Sequence, residues 1–276
     1  MEHDDFFVRF WGVRGSIPCP GMETARYGGN TSCLEVRCGA RLLILDAGTG
    51  LRQLDRELAA DGPLTADIFF SHTHLDHICG WPYFTSLLRP DSRLNVSAGH
   101  LSPDHTIEQV LAGLLCDPFT PVKTGQVRAQ INYHDFRAGE TLEPWPGVSL
   151  RTAPLNHPQG ATGYRVEYRG RSICYLTDTE HVPGALDQNI LGLIAGADMV
   201  IYDSTYTDEE FPAHVNWGHS TWQEGVRLCS AAGANRFIVF HHDPDHDDTF
   251  LNRIAADVEQ ARPGSVVASE GMTLRP

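Results

Sequence analysis

Six consecutive residues, His72-Thr73-His74-Leu75-Asp76-His77, put three imidazoles and a carboxylate on one short stretch. Donors of this kind suit zinc, manganese or iron. In extended backbone, residues two apart project to the same side, so His72 and His74 can share one ion while Asp76 and His77 face a neighbouring one. Two ions require about seven or eight protein ligands, so the rest of the chain should add an imidazole for each ion and a carboxylate between them. Three positions meet that need: His157 in Asn156-His157-Pro158, Asp178 in Leu176-Thr177-Asp178-Thr179, and His241 or its neighbour in Phe240-His241-His242-Asp243. Each lies at the end of a strand-like run.

Ligands of this precision need rigid elements behind them. The run 66–71 is almost wholly apolar, the pattern of a strand buried on both faces of an α/β sheet, and it ends at His72. Stretches 6–13 and 33–46, the latter broken by Gly39-Ala40-Arg41, read as a hairpin feeding a sheet. A short amphipathic helix is expected over 51–60. Helical spacing recurs at 81–88 and at 102–115, with Ser102 and Pro103 as an N-cap and first-turn pair. Strand-like stretches at 130–136, 148–153, 163–168 and 172–177, with a turn at Gly170, point to an antiparallel sheet. Short buried strands follow at 199–203 and 236–241, separated by a helix over 220–232. A helix over 248–261 and a strand over 265–268 complete the chain. With no repeat or flexible linker, the simplest organisation is one domain over 1–276, two sheets face to face with helices outside.

The 276 residues, 41% hydrophobic and 20% charged, are enough for a large core and exclude disorder. Thirty-five acidic against 21 basic residues give a formal charge of −14, which disfavours long nucleic acids and anionic membranes as partners. No apolar run approaches the roughly 18–20 residues of a membrane span. The start, Met1-Glu2-His3-Asp4-Asp5, is acidic where a signal peptide is basic, so a cytoplasmic location is expected. Seven dispersed cysteines without a CxxC pair read as small apolar residues.

The HxHxDH stretch with the later His157, Asp178 and His241 resembles the metallo-β-lactamase superfamily over nearly the whole chain. The resemblance implies an α/β, four-layer αββα sandwich of two mixed sheets with helices outside, and a dinuclear hydrolase. Carried over position by position, His72, His74, His157 and Asp178 hold the first metal, and Asp76, His77, Asp178 and His241 the second. His241 is preferred to His242 because it directly follows the apolar strand, as the family's final histidine does; His242 and His246 read as surface groups. Asp46, in Leu45-Asp46-Ala47-Gly48, matches an acidic residue that orients a ligand histidine. Two divalent cations are the implied cofactors, zinc first, with manganese or iron as the others.

Tyr202-Asp203-Ser204-Thr205-Tyr206 and Gly218-His219-Ser220-Thr221 resemble the phosphodiesterase branch, which includes transfer-RNA 3′-processing endonucleases and small cyclic-nucleotide and phosphonate-pathway phosphodiesterases. The match implies that Asp203 orients His219 and that His219 protonates or hydrogen-bonds the leaving oxygen, since an alkoxide is a poor leaving group. Asp76 would also take or orient the proton of the metal-bridging water that becomes the attacking hydroxide. Ser220 or Thr221 doubles as a helix N-cap. Other branches depart from this chain: flavodiiron proteins have Glu where His74 stands, and zinc β-lactamases usually have Cys where Asp178 stands.

Transfer-RNA processing enzymes carry an extended arm between the third metal histidine and the bridging aspartate, whereas 21 positions separate His157 from Asp178 here. Together with the charge, this favours a small phosphodiester such as a cyclic nucleotide over long RNA. The alternatives are a lactone, thioester or carboxylic ester hydrolase, and an RNA 3′-processing endonuclease. Arg14 and Asn30, in turn-rich segments, read either as substrate contacts or as parts of a hairpin closing the first sheet. Trp81, Tyr83, Phe84 and Trp217 read as cleft walls or as core. Members of the branch are commonly dimers, so the resemblance implies a homodimer that no surface pattern specifies.

Overall fold

The apolar runs assemble into two seven-stranded sheets. The computed structural model describes residues 6–101, 103–120 and 122–276, with residue 61 described by its backbone alone. The acidic segment 1–5 and the expected cap Ser102 lie outside the described residues. In chain order the strands are β1 (Phe6–Gly12), β2 (Cys33–Cys38), β3 (Arg41–Leu45), β4 (Thr65–Phe70), β5 (Arg93–Ala98), β6 (Gln130–Asp135), β7 (Thr141–Trp145), β8 (Val148–Leu155), β9 (Ala161–Tyr168), β10 (Arg171–Leu176), β11 (Met199–Asp203), β12 (Arg236–Phe240), β13 (Val266–Val267) and β14 (Thr273–Leu274). The helices are α1 (Leu51–Leu58), α2 (Leu75–Ile78), α3 (Ile107–Leu114), α4 (Gln188–Ile194), α5 (Trp222–Ala232) and α6 (Asp248–Ala261).

The first sheet runs β14-β1-β2-β3-β4-β5-β6 and the second β13-β12-β11-β10-β9-β8-β7. Both are mixed. β1 to β3 pair antiparallel and β3 to β6 parallel, just as β7 to β10 pair antiparallel and β10 to β13 parallel. Phe10, Val36, Leu43, Tyr164, Ile201 and Phe240 fill the space between the sheets. Leu54 of α1 and Leu111 of α3 cover Ile44 and Ile68 on the outside of the first sheet. Ile190, Leu228 and Val258, from α4, α5 and α6, cover Val200, Phe237 and Val239 on the outside of the second. Each such side chain, fully buried, contributes roughly 1.5–3 kcal/mol. The result is the four-layer αββα sandwich.

Three local expectations are corrected. β6 pairs parallel with β5 in the first sheet and does not join the antiparallel β8–β10 group; the long connection through α3 supplies the crossover a parallel step needs. The stretch 81–88 forms two 3₁₀ turns, Trp81–Tyr83 and Thr85–Leu88, because Phe84 between them is extended and Asp55 of α1 binds Thr85 and Ser86. α3 starts at Ile107, where Thr106 and Gln109 form a reciprocal capping box. Strands β5, β7 and β14 and helix α4 had no clear signal. Thr221 caps α5 as expected. Among the described residues no helix is long and apolar enough to cross a membrane.

Candidate metal centre

The parallel halves of both sheets end at one level, and chemistry-bearing residues follow the strand ends. Asp46 follows β3, His72 follows β4 by one residue beyond Ser71, Asp178 follows β10, Asp203 ends β11 and His241 follows β12. Ligand crevices in open α/β sheets lie at such carboxyl ends. Asp46, Asp178 and His241 are non-glycine residues with positive φ, at 62°, 56° and 64°. Backbone held in this sparsely populated region costs free energy, and it turns each side chain sharply out of its strand into the crevice.

All seven expected ligands converge. His72, His74 and His157 bring ring nitrogens within 4.8 Å of one another, and so do the ligand atoms of Asp76, His77, Asp178 and His241. Asp178 faces both groups. Its Oδ2 lies 3.5 Å from His72 Nε2 and 3.9 Å from His157 Nε2, while its Oδ1 lies 3.2 Å from the Nε2 atoms of both His77 and His241. Asp76 Oδ2 completes the second group, 3.1 Å from His77 Nε2 and 3.4 Å from His241 Nε2.

Whether these groups fit cations follows from where each imidazole proton goes. His77 Nδ1 lies 2.8 Å from Asp46 Oδ2, and His157 Nδ1 lies 2.9 Å from the Gly218 carbonyl, so both donate there. The Ser71 hydroxyl donates to Asp46, so His72 Nδ1, 3.1 Å from that hydroxyl, donates to it. The Thr205 hydroxyl likewise donates to Asp203 and receives the His241 Nδ1 proton at 3.0 Å. His74 Nε2 donates to Gln159 Oε1 at 2.9 Å. Every inward nitrogen is therefore free to offer a lone pair to a cation. His74 Nδ1 and His157 Nε2 face each other at 3.1 Å, and His77 Nε2 and His241 Nε2 at 3.3 Å. His72 Nε2 is buried with no hydrogen-bond partner among the described residues. Two sets of acceptors converging without donors fit two cations.

Charge reinforces this. Burial favours a neutral Asp178, yet the neighbouring His241 and His77 hold its carboxyl well below the usual range. Burial, with His77 close by, pushes His72 well below an ordinary imidazole and keeps it neutral. Burial works against a charged His77 too, but Asp76, Asp178 and Asp46 outweigh it and raise its pKa, so the carboxylates around Nε2 favour positive charge there, whether a proton or a cation that displaces it. Asp46, expected to orient a ligand histidine, accepts from His77, Ser71 and, at 2.7 Å, the Tyr175 hydroxyl.

Asp203 and His219 stand beside this centre. Asp203 and His219, with Asp178 and His241, also fall within 4.8 Å. Asp203, however, is filled: Oδ1 accepts from the Thr205 backbone N–H and hydroxyl, and Oδ2 from Thr179 N–H and from His219 Nδ1 at 3.0 Å. Four donors occupy the lone pairs of a carboxylate. It is thus built to hold His219. Burial opposes a charged His219, but Asp203, its hydrogen bond, Asp178 and Asp76 together push its pKa up to about 9.

Sequence reasoning missed Glu180. Its carboxylate accepts from the backbone N–H groups of Asn216 (2.9 Å) and Gly218 (2.8 Å), and its carbonyl accepts from the Asn156 side chain. Glu180 therefore ties together the loops bearing His157, Asp178 and His219. Gly218 has φ +87°, and a Cβ there would lie 2.2 Å from His157 Nδ1, so no other residue lets its carbonyl fix that ring. Its one sequence signal was the carboxylate two positions after Asp178. Ser71, Thr205 and Gln159, which take imidazole protons, were also missed, although Ser71 directly precedes His72.

Other candidates fall outside the centre. Arg14 is fully buried and donates to the carbonyls of Gly28, Asp243 and His246, and the Asn30 side chain donates to Glu270, so both close the hairpin. His242 and His246, expected at the surface, are buried; His242 Nε2 bonds Ala268 O and His246 Nε2 bonds Glu210. Neighbouring Arg14 and α6 pack over this loop. Trp81 and Phe84 are core, and Tyr83 and Trp217 are exposed.

A family model described as Beta-lactamase superfamily domain matches residues 41–242. Ribonuclease Z of Bradyrhizobium sp. (strain ORS 278) is 25% identical over 309 residues, covering 96% of this chain and 98% of its own. The human tRNase Z short form superposes with a TM-score of 0.72 at 19% identity over 98% of both chains. A diphosphatase from the PhnP family superposes with a TM-score of 0.73 at 19% identity, covering 99% of this chain and 98% of its own. These two structures share the fold.

Proposed function

The chain belongs to the metallo-β-lactamase superfamily, and from that premise we propose that this metal-dependent hydrolase is a dinuclear phosphodiesterase for small phosphodiesters, cyclic nucleotides among them. The observation that carries the reading is the Asp203–His219 pair at 3.0 Å, set against two convergent sets of acceptors that share Asp178. A carboxylic ester or lactone expels the same alkoxide, but its far more electrophilic carbonyl adds hydroxide before the C–O bond breaks, so it has less need of such an acid.

His72, His74, His157 and Asp178 would hold one cation, and Asp76, His77, Asp178 and His241 the other. When bound, the two cations supply Lewis-acid polarisation of a phosphoryl oxygen and the acidity that lets water attack near neutral pH. Asp76, whose Oδ2 is fixed by Ser16 N–H at 2.8 Å, orients the attacking water or takes its proton. As the new P–O bond forms and the ester P–O bond breaks, His219 gives its proton to the departing alkoxide oxygen. Asp203 holds the imidazolium in place and stabilises its charge. Zinc is the proposed metal, with manganese and iron as the others. The same reading takes 1–276 as one domain of a cytoplasmic homodimer.

RNA 3′-end processing is the second reading, favoured by the similarity to Ribonuclease Z along 96% of the chain. Against it, the interval from His157 to Asp178 is used up by the hairpin of β9 and β10, which lies within the sheet and leaves no arm there. Reconstituted protein should cleave cyclic AMP with a higher kcat/KM than a transfer RNA carrying a 3′ trailer. Faster trailer removal would replace the small-substrate reading with the RNA one.

A further inference from the structure

A cavity of about 440 Å³ opens beside the first histidine group, with His72 and His74 in its wall. Its far side is built by His100, two residues beyond β5, by Val110 of α3, and by Asp104 before that helix. The size falls within the roughly 300–1,000 Å³ of small-molecule sites, and the wall mixes apolar and hydrogen-bonding side chains as such sites do.

Its charge is more telling than its size. Among the described residues lining it there is no lysine or arginine, and Asp104 is a carboxylate. Lys123, the only lysine of the chain, pairs with Asp117 at 2.5 Å. Arg14 donates to three backbone carbonyls and is not among the residues lining this cavity. The arginines Arg165 and Arg171 line a different cavity, at the opposite ends of β9 and β10, where they pair with Glu167 and Asp198. Phosphate groups are normally met by such cations, and a partly desolvated anion without one is costly. Beside Asp104 it would also be repelled.

We propose that this cavity receives the organic substituent of the substrate as an uncharged ring system no larger than a nucleoside, so that the phosphoryl group at the metal centre carries the substrate's only negative charge. Diphosphates and oligonucleotides are thereby disfavoured. The inference rests on the phosphodiesterase reading and adds the substrate class to it.

The test compares 2′,3′-cyclic AMP with ethylene phosphate, which presents a similar cyclic diester without the nucleoside, and with ADP-ribose, a diphosphate. Metal-loaded wild-type protein should turn over 2′,3′-cyclic AMP at least tenfold better than ADP-ribose. Val110→Trp, which fills the cavity, should lower the ratio of kcat/KM for 2′,3′-cyclic AMP over ethylene phosphate at least tenfold. Asp104→Arg, an exposed change that adds a cation, should raise the ratio for ADP-ribose over 2′,3′-cyclic AMP by a similar factor. Turnover of both cyclic diesters with ratios unmoved by either variant, or preference for ADP-ribose, would overturn the inference alone. Inertness towards all three substrates would overturn the phosphodiesterase reading and this inference with it.

Discussion

Asp203 Oδ2 and His219 Nδ1 meet at 3.0 Å, brought together from the end of β11 and the loop before α5. Because Asp203 already accepts three other hydrogen bonds, its position does not depend on His219. The imidazole is thus held by a carboxylate that is itself fixed, and Nε2 is left for a substrate. His219→Ala should lower kcat by about 10²–10⁴-fold on a diester with an alkoxide leaving group, the usual scale of general acid catalysis. With p-nitrophenolate as leaving group, which needs little protonation, the loss should be far smaller. Equal losses on both substrates, measured by steady-state kinetics, would argue against proton donation.

His219 donates only while protonated, so activity should fall as pH rises through its pKa. Asp203 and the neighbouring carboxylates raise that pKa to about 9, and bound cations act in the opposite direction. The alkaline limb of kcat/KM is therefore expected at or below about pH 9. Asp203→Asn removes the nearest negative charge and should move the limb to lower pH. A limb that stays in place in this variant, or that survives in His219→Ala, would assign the titration to another group.

Asp46 accepts the Nδ1 hydrogen bond of His77 and so turns Nε2 towards the cation position. Asp46→Asn should weaken metal affinity about 10–100-fold, as loss of such a supporting hydrogen bond does. Competition with a chromophoric chelator would read this directly, and excess metal should restore part of the activity. Unchanged affinity would show that the His77 ring is fixed by packing alone.

Glu180 holds the Asn216–Gly218 turn, which in turn fixes the His157 ring through the Gly218 carbonyl. Glu180→Ala should lower metal affinity at the His72, His74 and His157 group and kcat together. Glu180→Gln, which keeps one acceptor, should fall between the two. A variant with wild-type metal affinity but reduced thermal stability would leave Glu180 a purely structural role.

Removing cations leaves convergent lone pairs and carboxylates facing one another. A ligand that binds only the folded state adds about 2.7 kcal/mol at 100 times its Kd, so chelation should lower Tm by several degrees, and zinc should restore it. An unchanged Tm on chelation and reconstitution, read by differential scanning calorimetry, would mean that the acceptors do not hold metal.

Much of this centre was legible because HxHxDH is compact in sequence and because His157, Asp178 and His241 each follow an apolar run that could only be a buried strand. What stayed hidden depended on partners distant in sequence. Glu180 acts on backbone N–H groups 36 and 38 positions away, and no side-chain pattern marks that contact. β6 looked like its antiparallel successors because strand residues alone do not encode direction; the long crossover through α3 does. His242 and His246 read as surface groups in an acidic stretch, yet Ala268 O and Glu210 bind them as the loop folds under. The cavity beside His74 arises from β5, which gave no sequence signal, and from α3, whose start was placed too early.

The central claim is that the two acceptor groups hold cations that hydrolyse phosphodiesters. Its most direct test is parallel hydrolysis of bis(p-nitrophenyl) phosphate and a simple lactone by apoprotein and by protein reconstituted with zinc or manganese. Diester cleavage that appears only with metal, with an inert lactone, is the predicted result. Lactone cleavage with an inert diester, or diester cleavage by the apoprotein, would contradict it.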